Sequence, residues 1–382
     1  MSGSPSIARI EAIPVHDVLA PADVYGSSRG LVRARAATLV RLETADGVVG
    51  WGEAWGASRA TAVLVGEIAA ELTGQRLEPS GSWFTRLLNQ RYHHTSGGHH
   101  VAAAGAIDIA MWDALGRTLD VPVHLLLGGR TRDHLTPYAS AGYITHDNDA
   151  GRFADGLREL AADGYRGVKI KLGLGFESDV ARTRAAREIL GPDTTILLDF
   201  NGNYTADQAR RSIARLAEFA PGWIEEPVPP DDRSGWALLR ECGVPLAAGE
   251  AVYTRYGFRD LIAGRVVDVV QPDVSKCGGL GEARVIAHLA QTWNVRFSPH
   301  VWGGVVAQAA SVQLLASVPD YPHVDHAAEP LWLEYDRGRN ALRDELAVRP
   351  FTFDGGVVTV PDGPGLGIEI DEAALDRLRA DR

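Results

Sequence analysis

Six short apolar runs, each ending in a charged or polar residue, recur at intervals of roughly 20–30 residues between positions 167 and 300. They read GVKIKLG at 167–173, TILLDFNGN at 195–203, WIEEP at 223–227, VPLAAGE at 244–250, VVDVVQPDVSKCGG at 266–279 and VRFSPH at 295–300. The spans between them, such as 179–190, 206–219, 232–242, 256–263 and 279–292, read as helices. Strand and helix signals in alternation imply parallel βαβ units. Six or more in a row favour an α/β barrel closed on itself, whose chemistry lies at the C-terminal ends of its strands. Lys169, Lys171, Asp199, Asn201, Glu225, Glu250, Asp273 and His300 all fall at those ends.

Around that repeat the chain has room for a second domain, since 382 residues exceed one ordinary core. A formal net charge of −11 argues against a nucleic-acid partner. The two cysteines, Cys242 and Cys277, allow neither a disulfide framework nor a cysteine-rich zinc site. MSGSPSIARIEAIPV lacks the basic flank and apolar core of a signal peptide. No run approaches the roughly 18 apolar residues of a membrane span, so the expectation is no membrane partner and a cytoplasmic location.

Taken in order, Ile7–Val15, Ala36–Glu43 and Val48–Glu53 read as a small antiparallel sheet with a hairpin at Ala45-Asp46-Gly47. The Gly/Ser/Pro-rich stretch 21–30 is either a plain surface loop or a lid over a pocket. As a lid, with WGEAWG at 51–56, it would offer Tyr25 and Arg29 to a substrate, both as exposed positions. Ala102–Leu119 is apolar on nearly every face and reads as a buried helix. HHTSGGHH at 93–100 reads as a loop feeding that helix rather than as a metal site, because its histidines are adjacent instead of four apart. The first barrel strand begins at Leu135 and its helix covers Phe153–Asp163; the eighth strand falls near 323–336. FTFDGGVVTVPDGPGLGIEI at 351–370 has no βα partner, and the reading takes it back to the N-terminal domain.

Asp199, Glu225 and Glu250 end three consecutive strands, and neighbouring strands lie about 4.8 Å apart. Three carboxylates so close repel one another unless a cation joins them, and an all-oxygen site suits Mg²⁺, with Mn²⁺ as the alternative. Lys169 and Lys171 share one face of their strand, with Val168 and Ile170 on the other. Two neighbouring ammonium groups are expected to lower at least one pKa, which suits a lysine base. Asp273 and His300 end consecutive strands, so the carboxylate can orient the imidazole and favour its charged form. Each of these residues alone reads as an ordinary salt bridge or structural group; the combination favours a site.

In that combination the chain resembles the enolase superfamily and, within it, the mandelate racemase-like subgroup. The resemblance covers nearly the whole sequence. It implies a modified (β/α)8 TIM-like barrel at 131–340, an α+β capping domain at 1–130, and a segment at 341–382 that returns to the cap. It also implies Lys171 as base with Lys169 as its electrostatic neighbour, and Asp199, Glu225 and Glu250 as metal ligands. Asn201 is implied as a substrate contact, and Asp273–His300 as a dyad; muconate lactonizing-type members carry a lysine where Asp273 stands. An eighth-strand acid that binds the substrate carboxylate corresponds to Glu334 or to Glu329. GEAVYTRYG, PHVWGG with Trp302 as a further substrate contact, EPLWLEYDR and VPDGPGLGIEI resemble galactarolactone cycloisomerases and acid-sugar dehydratases.

These likenesses imply an enzyme, a homo-oligomer, that removes the proton α to the carboxylate or lactone carbonyl of a sugar acid and forms an enediolate. Collapse by β-elimination would make it a lactone cycloisomerase or a dehydratase. Racemisation or epimerisation of a 2-hydroxy or amino acid derivative uses the same residues and stays open. A non-catalytic carbohydrate-binding barrel is the remaining alternative, and it is disfavoured because no ligand or base is missing.

Overall fold

The computed structural model describes residues 5–380 apart from residue 57 and the stretches 94–96 and 321–328. Part of the histidine-rich loop (94–96) and part of the run expected to lead into the eighth strand (323–328) therefore lie outside the described residues. Three strands, Ile7–Val18, Ala34–Thr44 and Val49–Trp55, form an antiparallel sheet in sequence order. The long helix His99–Leu119 lies across the third of them. Glycine makes that approach possible: a Cβ on Gly50 or Gly52 would overlap the carbonyl oxygens of Ala110 and Ala106. The alanine-rich face of the helix meets the glycines of GVVGWG, and small residues on both sides bring backbone against backbone. His99 opens the helix, so the described end of HHTSGGHH leads into a helix N-terminus.

Eight parallel strands make the barrel: His134–Ala141, Gly167–Lys171, Thr195–Asp199, Trp223–Glu225, Leu246–Ala248, Val269–Val270, Arg296–Phe297 and Trp332–Asp336. Parallel ladders join the first seven in order, and the eighth pairs back onto the first. Between the seventh and eighth, Ser298 Oγ donates to the Trp332 carbonyl at 3.3 Å. Local signals set the helix ends: Asp149 accepts from Arg152 N, Gly164 closes the same helix at positive φ, and Thr205 with Gln208 makes a capping box. Val168 and Ile170 join the outer core under the helices. Inside, Tyr138, Leu197, Trp223, Ala247, Val269 and Trp332 form a separate apolar layer. The Tyr138 ring meets Trp223 and Trp332 edge-on at 5.6 and 6.3 Å, which leaves the other end of the barrel for polar chemistry.

The C-terminal segment divides its attachment. Its hairpin, Phe353–Asp354 with Val357–Thr359, pairs antiparallel with the start of the first barrel strand at Leu135 and His134. This part departs from the expectation, because an edge at the floor of the barrel accepts it. Residues beyond it do reach the cap. Leu366 N donates to Asp113 at 2.7 Å, Ala380 N to the Pro14 carbonyl at 2.8 Å, and Arg379 pairs with Glu11 at 3.2 Å.

A single carboxylate also clamps cap to barrel. Glu53, fully buried on the third cap strand, accepts from Gly304 N at 2.5 Å and Ala307 N at 3.0 Å. These are the first N–H groups of the barrel helix Val305–Ser317, which has no capping side chain of its own. A Cβ on Gly303 or Gly304 would press on the Glu53 carboxylate at 2.7 and 3.0 Å, which explains the glycine pair of PHVWGG. Replacing Glu53 by Ala should cost about 3 kcal/mol, since two buried donors lose their acceptor, with Glu53→Gln losing less; urea unfolding at neutral pH measures both. Burial raises the Glu53 pKa above its ordinary 4.5 despite the bonds from Gly304 and Ala307. A group whose folded pKa is raised contributes most below its unfolded value and loses that contribution as pH climbs to the folded one. Stability linked to Glu53 should therefore fall as pH rises above about 4.5, and Glu53→Gln should flatten that slope.

Candidate active site

Strand register builds the site. Asp199 and Glu225 sit opposite each other at the ends of the third and fourth strands, and Glu250 lies two residues beyond the fifth. The three offer carboxylate oxygens within 4.8 Å of one another. The chain turns sharply after two of these strands: Asn201 and Glu226 adopt φ of +47° and +40°, which costs a non-glycine residue energy. The two turns hold each other, because Gly202 N donates to the Glu226 carbonyl at 2.7 Å. Asp199 braces its own turn by accepting from Asn201 N at 2.8 Å.

Cations face these acids from the second strand. Lys169, fully buried, lies 2.7 Å from Glu225 Oε1, 2.8 Å from Glu334 Oε1 and 3.7 Å from Asp199. Lys171 donates to Asp199 Oδ2 at 2.5 Å. The expected lowering of a lysine pKa is not what this arrangement produces. Burial opposes the charge on both lysines, but Glu225 and Glu334 around Lys169, and Asp199 beside Lys171, outweigh it and raise both values. Lys169 does repel Lys171, yet more weakly than Asp199 attracts it.

Across the mouth, His300 Nδ1 meets Asp273 Oδ2 at 2.7 Å and His300 Nε2 lies 3.3 Å from Glu250. Ser275 fixes the Asp273 carboxylate through its N–H at 2.8 Å and its hydroxyl at 2.5 Å. Burial works against the imidazolium, but Glu250, Glu334 and Asp273 prevail and raise the His300 pKa. Glu334 points inward from the eighth strand and also accepts from Val301 N at 2.9 Å. Lys169 and His300 overcome the burial that opposes its charge and hold its pKa at about 2. Glu329 is elsewhere. It pairs with Arg296 and lines a separate hollow with Trp223, Phe297 and Trp332 at the opposite end of the barrel. Preceding the eighth strand rather than standing within it, Glu329 faces the floor, so of the two candidates only Glu334 joins the site.

A cavity of about 490 Å³ opens above these groups, lined by Lys171, Asn201, Glu226, Glu250, Lys276 and His300, and roofed by Ser27, Arg29, Trp55 and Trp302. Short strands at Tyr25–Ser27, Gly30–Val32 and Ile144–Thr145 hold the 21–30 segment in place. Arg29 is exposed and donates to the carbonyls of Asn201 and Gly202 at 3.2 and 3.4 Å. Tyr25 is not the exposed position expected of it. It is 6% accessible, donates to the Arg339 carbonyl at 2.9 Å and accepts from Arg35 at 3.0 Å. Arg35 in turn stacks 3.5 Å over the Trp302 ring, and Trp302 donates to Tyr143, which donates to Asp336 at 2.6 Å. Tyr25 thus supports the roof from behind; of the WGEAWG run, Trp55 alone lines the cavity. Sequence reasoning missed Glu226, Lys276 and Tyr143. The second acid of WIEEP was the available signal for the first, whereas nothing local marks Tyr143. Tyr25→Ala should destabilise the protein by about 3 kcal/mol, as for a buried aromatic. Arg29→Ala should stay within about 0.5 kcal/mol, and equal losses in a thermal melt would contradict this division of labour.

The residues present suit a divalent ion. Asp199, Glu225, Glu250, Asp273 and Glu334 face Lys169, Lys171 and His300 around one mouth, so full ionisation leaves two negative charges uncompensated. The strain of that excess is visible in Glu225, pushed up to about 7 by burial and by Asp199 and Glu334 in spite of Lys169. Mg²⁺ should raise the melting temperature of chelator-treated protein, adding about 2.7 kcal/mol at 100 times its dissociation constant. Glu250→Gln should abolish most of that shift, and an unshifted wild type would rule the site out.

Sequence and structure comparisons identify the family. Residues 9–128 match the mandelate racemase / muconate lactonizing enzyme N-terminal domain, and residues 152–374 match the enolase C-terminal domain-like family. The D-galactarolactone cycloisomerase of Agrobacterium fabrum (strain C58) is 38% identical over 349 residues, covering 90% of this chain and 92% of that protein. The arabinonate dehydratase of Saccharolobus solfataricus is 32% identical over 347 residues, covering 88% and 89%. A racemase from Streptomyces coelicolor A3(2), solved with bound magnesium, superposes with a TM-score of 0.87 at 29% identity, over 98% of this chain and all of that one. Fold, domain matches and relatives converge: the chain belongs to the mandelate racemase / muconate lactonizing enzyme family and is an enzyme of the enolase superfamily.

Proposed function

We propose that the protein removes the α-proton of a sugar acid or its lactone and expels the β-oxygen, as a lactone cycloisomerase or acid-sugar dehydratase. One observation carries the reading: an ammonium and an imidazole flank one carboxylate trio, Lys171 bonded to Asp199 and His300 facing Glu250. Named relatives acting as a cycloisomerase and a dehydratase support elimination over other outcomes. Asp199, Glu225 and Glu250 would hold Mg²⁺, which would supply positive charge for the substrate carboxylate; with Asp199 engaged there, its hold on the Lys171 ammonium would weaken. Lys171, once neutral, takes the α-proton. Lys169 stays charged between Glu225 and Glu334 and fixes the ligand carboxylate in place. His300, kept protonated by Asp273, Glu250 and Glu334, gives its proton to the departing oxygen. In a lactone that oxygen is the ring oxygen and the ring opens; in a linear acid it leaves as water. Arg29 and Trp302 close the cavity above the chain of the substrate.

The two groups have different assignments, and isotope exchange tells them apart. Replacing either should lower turnover by about 10²–10⁴-fold. His300→Asn should still pass solvent deuterium into recovered substrate, because Lys171 removes and returns the α-proton. Lys171→Ala should show no such exchange. If exchange survives only without Lys171, the base is His300. If each variant exchanges the enantiomer facing its remaining base, the enzyme is a racemase or epimerase.

A further inference from the structure

One wall of the cavity takes no part in proton transfer, and its polar groups are incompletely bonded. Glu226 is 5% accessible, and its Oε1 is buried without a hydrogen-bond partner. Beside it, Asn201 Oδ1 is also buried without a partner. Lys276 is 4% accessible and lies 3.7 Å from the centre of the Trp55 ring. Among the described residues it makes no ion pair within 4.0 Å, with Glu226 or any other acid. All three line the same cavity. Burying a carboxylate and an ammonium side by side yet apart is costly unless something joins them. The Glu226 backbone is held at positive φ as well, so the side chain is kept in place against strain.

The chemistry of the missing partner follows from what each group can bond. Carboxylate and amide oxygens accept; an ammonium only donates. A second carboxylate on the ligand would be repelled by Glu226, and an ammonium by Lys276. An apolar chain would leave Glu226 and Asn201 without a donor and Lys276 with only the Trp55 ring. A hydroxyl donates and accepts, so a hydroxylated chain satisfies Glu226 and Lys276 together. We propose that Glu226 and Lys276 determine specificity by reading substrate hydroxyls beyond the β-carbon, with Asn201 alongside. This rests on the sugar-acid reading above and adds to it a requirement for a polyol chain rather than a short or apolar one.

The test compares two acids on the Mg²⁺-loaded enzyme. One is a six-carbon aldonate that the wild type converts; the other is glycerate, which has an α-proton and a β-hydroxyl but none further along. The ratio of their specificity constants, with solvent-deuterium uptake as the measure for glycerate, should fall at least tenfold in Glu226→Ala and in Lys276→Met. Glu226→Gln, which keeps an acceptor oxygen, should fall less. Titration calorimetry with Mg²⁺ alone should give the same dissociation constant for Glu226→Gln as for wild type within about threefold. An unchanged ratio, or equal losses on both acids, overturns the proposal while leaving the elimination reading intact. A weakening of Mg²⁺ binding by tenfold or more would place Glu226 in the surroundings of the metal instead and likewise overturn it. If the wild type converts glycerate-like acids and no aldonate or lactone, the sugar-acid reading fails and takes this proposal with it.

Discussion

Charge compensation at the barrel mouth is the constraint on which the rest depends. Lys169, without solvent contact, joins the second strand to Glu225 of the fourth and Glu334 of the eighth. Burying such ions gains little stability against well-packed apolar residues, but removing one member of the cluster leaves the others stranded. The cluster therefore works as a positioning device. It sets the height and orientation of Glu225 and Glu334, and through Val301 it ties the eighth strand to the loop that carries His300. Below it lies the buried Tyr138–Trp223–Trp332 layer, so the acids above face an apolar floor, where charges act on one another more strongly than in water.

The cap is joined to this machinery by buried polar contacts as well as by a shared apolar core, in which Ile13, Leu39 and Trp51 lie with barrel residues such as Val306 and Ala310. Glu53 caps a barrel helix, Asp108 accepts from Gly281 N at 2.9 Å, and Gly105 packs against Gly278 and Gly279. Burial pushes Asp108 up to about 6, although three donors from Ser80 and Gly281 work the other way. Such contacts tolerate little sliding, since each has a single geometry. The roof over the cavity is thus fixed along its Trp55–Trp302 side. The opposite rim is held by Arg29 on the carbonyls of Asn201 and Gly202 and by Ser28 Oγ on the Phe200 carbonyl at 3.2 Å.

Much of the barrel was legible because each βα unit repeats one local pattern. Short apolar runs, helices with caps such as Thr205 and Gly164, and acids at strand ends carry their meaning within a short window. The carboxylate trio followed from strand spacing alone. Contacts between distant positions were not legible. Tyr25 looked like a loop residue because the partners that bury it, Arg35, Arg339 and Gly338, come from other parts of the chain. Glu329 and Glu334 are the same residue type five positions apart, and only the start of the eighth strand separates a floor residue from a mouth residue. The charge state of the lysines was misjudged for a related reason. Their proximity to each other was visible in the motif, whereas the three acids that outweigh it come from three other strands.

The divided attachment of the C-terminal segment bears on how the molecule is made. Arg379 and Glu11 are 368 positions apart, and Ala380 completes the edge of the first cap strand at Pro14. The floor hairpin likewise waits for residues near 358 before it can cover Leu135. Contacts of such separation slow folding, because loop closure precedes the gain. On the ribosome the sheet of residues 7–55 would be synthesised long before the residues that complete it. Until residues 379 and 380 emerge, its outer strand presents open hydrogen-bonding groups of the kind that invite mispairing. Nascent chains should thus be most vulnerable to aggregation before those residues are made, with the barrel largely threaded and the sheet still unsealed.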